Sequence, residues 1–500
     1  MKFGRNKPDI TELILLAVII LLPILIFYAI IQTSGPSWDM IVRQLDGRTL
    51  LNYLTHKVSL KAAFAGEFSN NNMYYFEPYR EPLSTPIFAI LGIFFKKPIF
   101  AYICITYLVY LFAVYKIGKD LSANKLLVFS LFLNTYLLYF LFIPNGGEGL
   151  AVAFVLLGIV YLLRKNPISG LFLGIAVLAK YPAIVLFPLV LLLEDRKKII
   201  KAVLLEIAVL SLWGIIDYVI YGVPFYSLFE SITAAGTVSG LSTVYASSLL
   251  QVFSYPLAFG AVAIAALLIK KEKIRIRWDH RTKVLAFGIM LAFLGYLVIL
   301  PHNDPITQAR YGFLSSAMLL IAVLVLLGKA DNKIFWLKYA IALTAIAILI
   351  YGLYSAFLLG NNAGVAYYNI DKNGLYVHAG NVMDSLGFEN CRFISNAWVP
   401  MIYTGYAAYS PFILYTNKIT IPTVSNTLNE YGINYTKSSD NIVPTNYTEY
   451  IKEQMGYPIL FFKNTGVPGS FIPDLNSSRQ VYQDNNFTVY LPENASCFKN

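Results

Sequence analysis

Apolar runs long enough to cross a bilayer recur through the first 360 residues, and no other feature constrains the fold as much. Residues 13–33 form the first. A hydrocarbon core of about 30 Å takes roughly 20 apolar residues of helix, and no small-residue cleavage pattern follows this run, so it reads as a retained span and not a removed signal peptide. Further spans are expected near 99–115, 126–143, 149–163, 202–222, 246–269, 284–300, 308–328 and 335–358. Mean hydropathy of +0.59 and 13% charged residues agree, since a soluble domain has about a quarter of its residues charged.

The stretch 168–193 is harder, because Lys180-Tyr181-Pro182 divides its apolar run into two pieces of about a dozen residues, each near 18 Å as an α-helix. It is either one long span or a hairpin of two short ones. Lys/Arg placement discriminates, because cytoplasmic loops carry the excess. With the N-terminus inside and a hairpin here, 22 of the 39 basic residues fall on the inner side, including Arg164, Lys165, Lys197, Lys198, Arg281 and Lys338. Making 83–95 a span and 168–193 a single helix lowers that count to 19 of 39. The hairpin version gives about 11 transmembrane helices. Both versions place the C-terminus outside.

Residues 1–359 therefore read as a transmembrane domain, with 34–98 as a long first external loop, and 360–500 as an external C-terminal domain. In the loop, Leu50 to Phe64 is amphipathic enough to lie on the membrane surface. In the tail, Arg392–Ser395, Pro458–Phe462 and Phe487–Tyr490 read as strands, and Tyr376–Leu386 and Thr448–Met455 as helices, hence a small α/β domain. Asn-x-Ser/Thr sequons at Asn434, Asn446, Asn476, Asn486 and Asn494 all lie there, where a glycan requires exposure outside the cell. Cys391 and Cys497 share that oxidising side, and a bridge between them is as expected as not; Cys104 is intramembrane. The net charge of +11 is accounted for by cytoplasmic loops facing anionic membrane lipids; with eight basic against ten acidic residues from 360 onward, the tail is no nucleic-acid surface.

The residues available for chemistry form neither a metal-ligand set nor a phosphate-cradling glycine loop. Only four His are present, no two at i, i+4 spacing, and no cofactor is implied. Charged residues gather instead at the external ends of spans: Asp39 after the first, Glu148 opening the fourth, Lys180 at the hairpin tip, His302 and Arg310 before a late span. A carboxylate beside several cations at the outer surface suits an anionic lipid headgroup and a group that must lose a proton. Glu206 and Asp217 are polar residues within a span, as a transporter or flippase of lipid-linked saccharides would need.

Asp39 after the first span, Tyr79-Arg80-Glu81-Pro82-Leu83 leading into a short apolar helix, Glu148 opening a span, Gly174 to Pro182 with its Lys180, and Arg310-Tyr311 together resemble the GT-C glycosyltransferases. Within these, the chain is most similar to the protein O-mannosyltransferase and aminoarabinose transferase branch, over roughly residues 10–330. The resemblance implies a polytopic α-helical membrane enzyme, and external sequons without a cleavable signal fit an archaeal plasma membrane. It implies inverting transfer of a sugar from a dolichyl- or polyprenyl-phosphate carrier to an extracytoplasmic glycan, lipid or protein. In that scheme Asp39 is the catalytic base, Arg80, Lys180 and Arg310 hold the donor phosphate, and Glu81, Glu148 and His302 contact substrate. One departure stands out, because a family acidic-basic pair before Pro-Pro is here Arg80-Glu81 before the single Pro82.

Overall fold

The computed structural model describes residues 9–34, 38–57, 68–69, 72–73, 82–95, 98–121, 123–142, 147–221, 224–225, 227–228, 245–269, 278–299, 305–331, 336–362, 374–389, 391, 393–397, 401, 408–409, 456–463 and 478–493. The helices are α1 (Ile10–Ser34), α2 (Trp38–Leu54), α3 (Ser84–Phe94), α4 (Pro98–Asp120), α5 (Lys125–Phe132), α6 (Thr135–Phe142), α7 (Gly147–Leu163), α8 (Ile168–Ala179), α9 (Arg196–Tyr221), α10 (Ala246–Ile269), α11 (His280–Ile299), α12 (Pro305–Tyr311), α13 (Phe313–Asp331), α14 (Leu337–Asn362) and α15 (Leu375–Met383). A 3₁₀ helix spans Tyr181–Leu192. Among the described residues, four helices are long and apolar enough to cross a bilayer: Pro98–Asp120, Arg196–Tyr218, Ala246–Ile269 and His280–Val298. Apolar helices of 10–17 residues accompany them.

The chain forms two compact units. The first comprises Met1–Ile30, Ile103–Ser211 and Ala235–Leu359. Its centre is α7, which reads GEGLAVAFVLLGIVYLL and buries residues on every side, as expected of a helix apolar all round. Next to it, α8 and the 3₁₀ helix form a hairpin. Lys165 before it and Glu194 after it are ion-paired at 2.5 Å, while Lys180 at its tip lies 3.3 Å from Glu148 at the opposite end of α7. A single long span would have put Lys165 and Glu194 at opposite ends. The returning arm gains reach from its geometry: a 3₁₀ helix rises about 2.0 Å per residue, so 12 residues extend about 24 Å, close to the length of α7.

Two expected spans are broken inside. The run 126–143 divides at Asn134, whose side chain donates to Leu131 O at 2.8 Å and accepts from Leu137 N at 2.9 Å, ending α5 and capping α6. The run 308–328 divides at Gly312, where a Cβ would collide with the Val252 side chain of α10. At the end of the unit remote from Glu148, Arg164 grips Asp120 with two hydrogen bonds of 2.5 and 2.7 Å, and Arg281 donates to the Asp120 carbonyl. Lys165 holds the Glu194 carboxyl below its usual range. Lys338 and Asn124 both reach Glu12 at 3.0 Å, and Tyr339 bonds Asp9 at 2.5 Å, tying α14 and α5 to the start of α1.

The second unit comprises Ile31–Tyr102, Leu212–Ala234 and Gly360–Asn500. Here α2 packs on α3 closely enough that a Cβ on Gly47 would strike Phe88 and the backbone of Ala89, and Phe88 stacks on Tyr102 at 4.4 Å between centroids. Helix α2 ends at Leu54, and residues 58–64 of the segment expected on the membrane surface lie outside the described ones. A short antiparallel pair, β1 (Phe68–Ser69) and β2 (Asn72–Met73), follows. The tail carries a five-stranded sheet of β3 (Phe393–Ser395), β4 (Ala408–Tyr409), β5 (Ile459–Phe462), β6 (Arg479–Gln483) and β7 (Phe487–Leu491) in the order β4-β3-β5-β7-β6. β3 runs parallel to β4 and β5, and β7 antiparallel to β5 and β6. Asn396 extends the ladder like a backbone amide, donating to Phe462 O and accepting from Phe462 N, both at 2.8 Å. The expected α/β tail is thus present, with Tyr376 of α15 against Phe462 at 5.1 Å; most of the expected helix Thr448–Met455 lies outside the described residues.

Glycine contacts in the first unit give a stability test. A Cβ on Gly170 would meet the Ala202 backbone of α9, whereas Gly328 in α13 has open space around it. Gly170→Val should lower the unfolding midpoint in detergent, at a cost of about 1–3 kcal/mol, while Gly328→Ala should raise stability by about 0.5–1 kcal/mol.

Candidate functional site

Glu148 is fully buried in the first turn of α7, where the positive end of the helix dipole favours a carboxylate. Two cations converge on its Oε1: Arg310 Nε at 2.5 Å and Lys180 Nζ at 3.3 Å. Their side chains are only 13% and 4% exposed, so both pairings sit in a low dielectric. Residues 148, 180 and 310, widely separated in sequence, are thereby brought to one point.

Each is held there by its local backbone. Lys180 is extended (φ −157°, ψ 113°) between α8 and the 3₁₀ helix, its N–H bonded to Ala176 O and its carbonyl to Ala183 N. Pro182 and Pro188 keep the returning arm from continuing α8 as one helix. Arg310 sits on the short α12, pinned on two sides: Tyr136 OH donates to Ala309 O at 2.7 Å, and the Gln308 side chain accepts from Tyr245 N at 3.1 Å. The Tyr311 ring centroid lies 5.7 Å from Lys180 Nζ, a cation–π contact.

Asp39 occupies the first turn of α2, but its side chain lies outside the described residues, as do Arg80, Glu81 and His302. On α2 of the second unit, Arg43 and Asp46 are buried, at 0% and 1% exposure, which sequence alone does not mark. Arg43 Nη1 donates to Ser84 Oγ of α3. Their spacing from Asp39, four and seven residues on, places all three on one helical face. That periodicity was available once 38–54 is recognised as a helix. Of the intramembrane carboxylates, Asp217 accepts two hydrogen bonds from Ser227, at 2.9 and 2.7 Å, whereas Glu206 is 5% exposed with its Oε1 unpartnered. Among the described residues no cluster of three or more metal-ligating side chains occurs.

Against this geometry, the comparison with solved structures is informative. The crystal structure of ArnT from Cupriavidus metallidurans bound to undecaprenyl phosphate matches with a TM-score of 0.58 over 98% of this chain and all of that one, at 11% identity. The chain thus shares the fold of that protein. With its apolar helices, it is an integral membrane protein. No family model and no curated protein matches the sequence.

Removing the carboxylate from this cluster leaves two cations buried. Glu148→Gln should therefore destabilise the protein by about 3–5 kcal/mol. The Glu148→Gln/Arg310→Gln double variant should recover part of that loss, and a double-mutant cycle read from detergent unfolding should show a coupling of about 0.5–3 kcal/mol. Strict additivity would mean that the two side chains do not interact.

Proposed function

We propose that the protein is an inverting glycosyltransferase that moves a sugar from a dolichyl- or polyprenyl-phosphate carrier to an extracytoplasmic glycan, lipid or protein. The observation that carries this reading is the convergence of Lys180 and Arg310 on Glu148, in a chain with the fold of a protein crystallised with undecaprenyl phosphate. Outside the cytoplasm nucleotide sugars are absent, so the donor must be a lipid-borne sugar. Its leaving group is a phosphate monoester ester-linked to lipid, which needs cations more than a general acid.

In this scheme the acceptor hydroxyl oxygen attacks the anomeric carbon, its proton passes to the Asp39 carboxylate, and the bond from the anomeric carbon to the phosphate oxygen breaks. Polyprenyl phosphate leaves with the electron pair, and configuration inverts. Arg80, Lys180 and Arg310 hold that phosphate, with the Arg forks suited to two oxygens at once. Glu148 sets the positions of Lys180 and Arg310, and Glu81 and His302 contact substrate. We place about 11 spans in the membrane, with the paired end of α7 at Arg164 inside and the 360–500 domain outside. The disulfide at Cys391 supports that orientation, because such bonds persist in oxidising compartments. The rival reading, a flippase of lipid-linked saccharides, draws on the buried Glu206.

Transfer by purified protein discriminates the two. Asp39→Asn should lower turnover by about 10² or more with donor binding little changed, while Glu206→Gln should leave transfer near normal. Near-normal transfer by Asp39→Asn would end the catalytic assignment. Loss of Lys180 or Arg310 to Ala should weaken donor binding or slow phosphate departure by about 2–5 kcal/mol. For the tail, Cys104 is free and Cys497 lies outside the described residues, so the Cys391 bridge is tested by electrophoresis. Either Cys391→Ser or Cys497→Ser should abolish a mobility shift between reduced and non-reduced protein.

A further inference from the structure

Near the Glu148 cluster lies a buried hydroxyl for which the fold offers no partner. Tyr296, three residues before the end of α11, is 2% exposed, and its OH makes no hydrogen bond. It forms a buried cluster with Val252, against which Tyr136, Leu249, Phe253 and Tyr311 pack, and its ring meets that of Phe253 edge-on at 5.9 Å. Two of those neighbours belong to the ion cluster's surroundings. Tyr311 carries the ring beside Lys180 Nζ, and Tyr136 lies within electrostatic reach of both Glu148 and the Tyr296 hydroxyl while its own OH is committed to Ala309 O.

The other hydroxyls of this region show what the fold does when it only needs a tyrosine for packing. Tyr136, Tyr110 and Tyr255 each donate to a backbone carbonyl, of Ala309, Phe132 and Ser130, at 2.7–2.8 Å. A phenol buried without such an acceptor costs free energy that phenylalanine, with the same ring, would avoid. The position of Tyr296 supplies a reason. It stands at the end of α11 remote from His280, which bonds Leu162 O at the far end of α7, and so at the same end as Glu148. We propose that Tyr296 is a donor-binding residue whose hydroxyl donates to an oxygen of the polyprenyl phosphate headgroup held by Lys180 and Arg310, with the rings of Tyr296 and Tyr311 walling the apolar chain next to it. This rests on the proposed function, since it names a further contact for that same donor.

The test uses full-length protein in nanodiscs and undecaprenyl phosphate as the probe, with binding and unfolding measured on the same samples. Tyr296→Phe should bind the lipid about tenfold more weakly, a loss typical of one hydrogen bond to a charged group, while its ligand-free unfolding midpoint stays equal to or above wild type. Tyr110→Phe, which loses a satisfied bond to Phe132 O, should show the reverse: a lower midpoint with unchanged binding. A lower midpoint and unchanged affinity for Tyr296→Phe would show a hydroxyl satisfied by trapped water, and would overturn the inference while leaving the glycosyltransferase reading intact. Failure of wild-type protein to bind the lipid at all would overturn both.

Discussion

A carboxylate with no exposure, at the head of an all-apolar helix, can stay charged only if cations come to it, and much of the first unit is arranged to bring them. Glu148 costs several kcal/mol to desolvate, and its pairing with Arg310 and Lys180 offsets that cost. Lys180 reaches it because α8 stops and the chain turns back as a 3₁₀ helix. Arg310 reaches it because α12 is cut short at Gly312, where the approach of Val252 leaves no room for a side chain. Both breaks would be expensive in lipid if their freed backbone groups were not bonded again, and they are: Lys180 N to Ala176 O, Ala183 N to Lys180 O, Gly312 N to Ala309 O.

Much of this was readable beforehand, and the part that was not has physical causes. Span positions follow from hydropathy because lipid demands long apolar helices, and the described helices fall where the runs predict them. The hairpin was favoured by the Lys/Arg count, and its geometry is borne by Lys165 with Glu194. Its second arm was read as an α-helix near 18 Å. Hydropathy cannot report the hydrogen-bond pattern of an arm, only its polarity, so the longer 3₁₀ geometry went unseen. The break at Asn134 was missed for a related reason: one Asn in an apolar run hardly alters a window average, yet its side chain both ends one helix and starts the next.

In the candidate site, Glu148, Lys180 and Arg310 could be listed from sequence because charges at span ends are rare. Which carboxylate would hold which cation could not be read, since that depends on how three separate segments pack. Arg43 and Asp46 escaped for the opposite reason. They lie in a segment of mixed polarity, where charged residues are ordinary, and only burial against α3 marks them out. Tyr296 is less legible still, because a tyrosine in a span is unremarkable until its hydroxyl is found buried and unbonded.

The two ends of α7 differ in a way that bears on what each can bind. Around Arg164 the charges are matched singly: Arg164 with Asp120, Lys165 with Glu194, Lys338 with Glu12. Such pairs are closed to an incoming anion, because each cation already has its carboxylate, and at partly exposed positions they add little stability. Around Glu148 one carboxylate serves two cations, both nearly buried. Low dielectric makes each of those pairings stronger than its counterpart at the exposed end. The two ends of the same helix thus differ in kind: one carries partly exposed ion pairs, the other a buried carboxylate shared by two nearly buried cations.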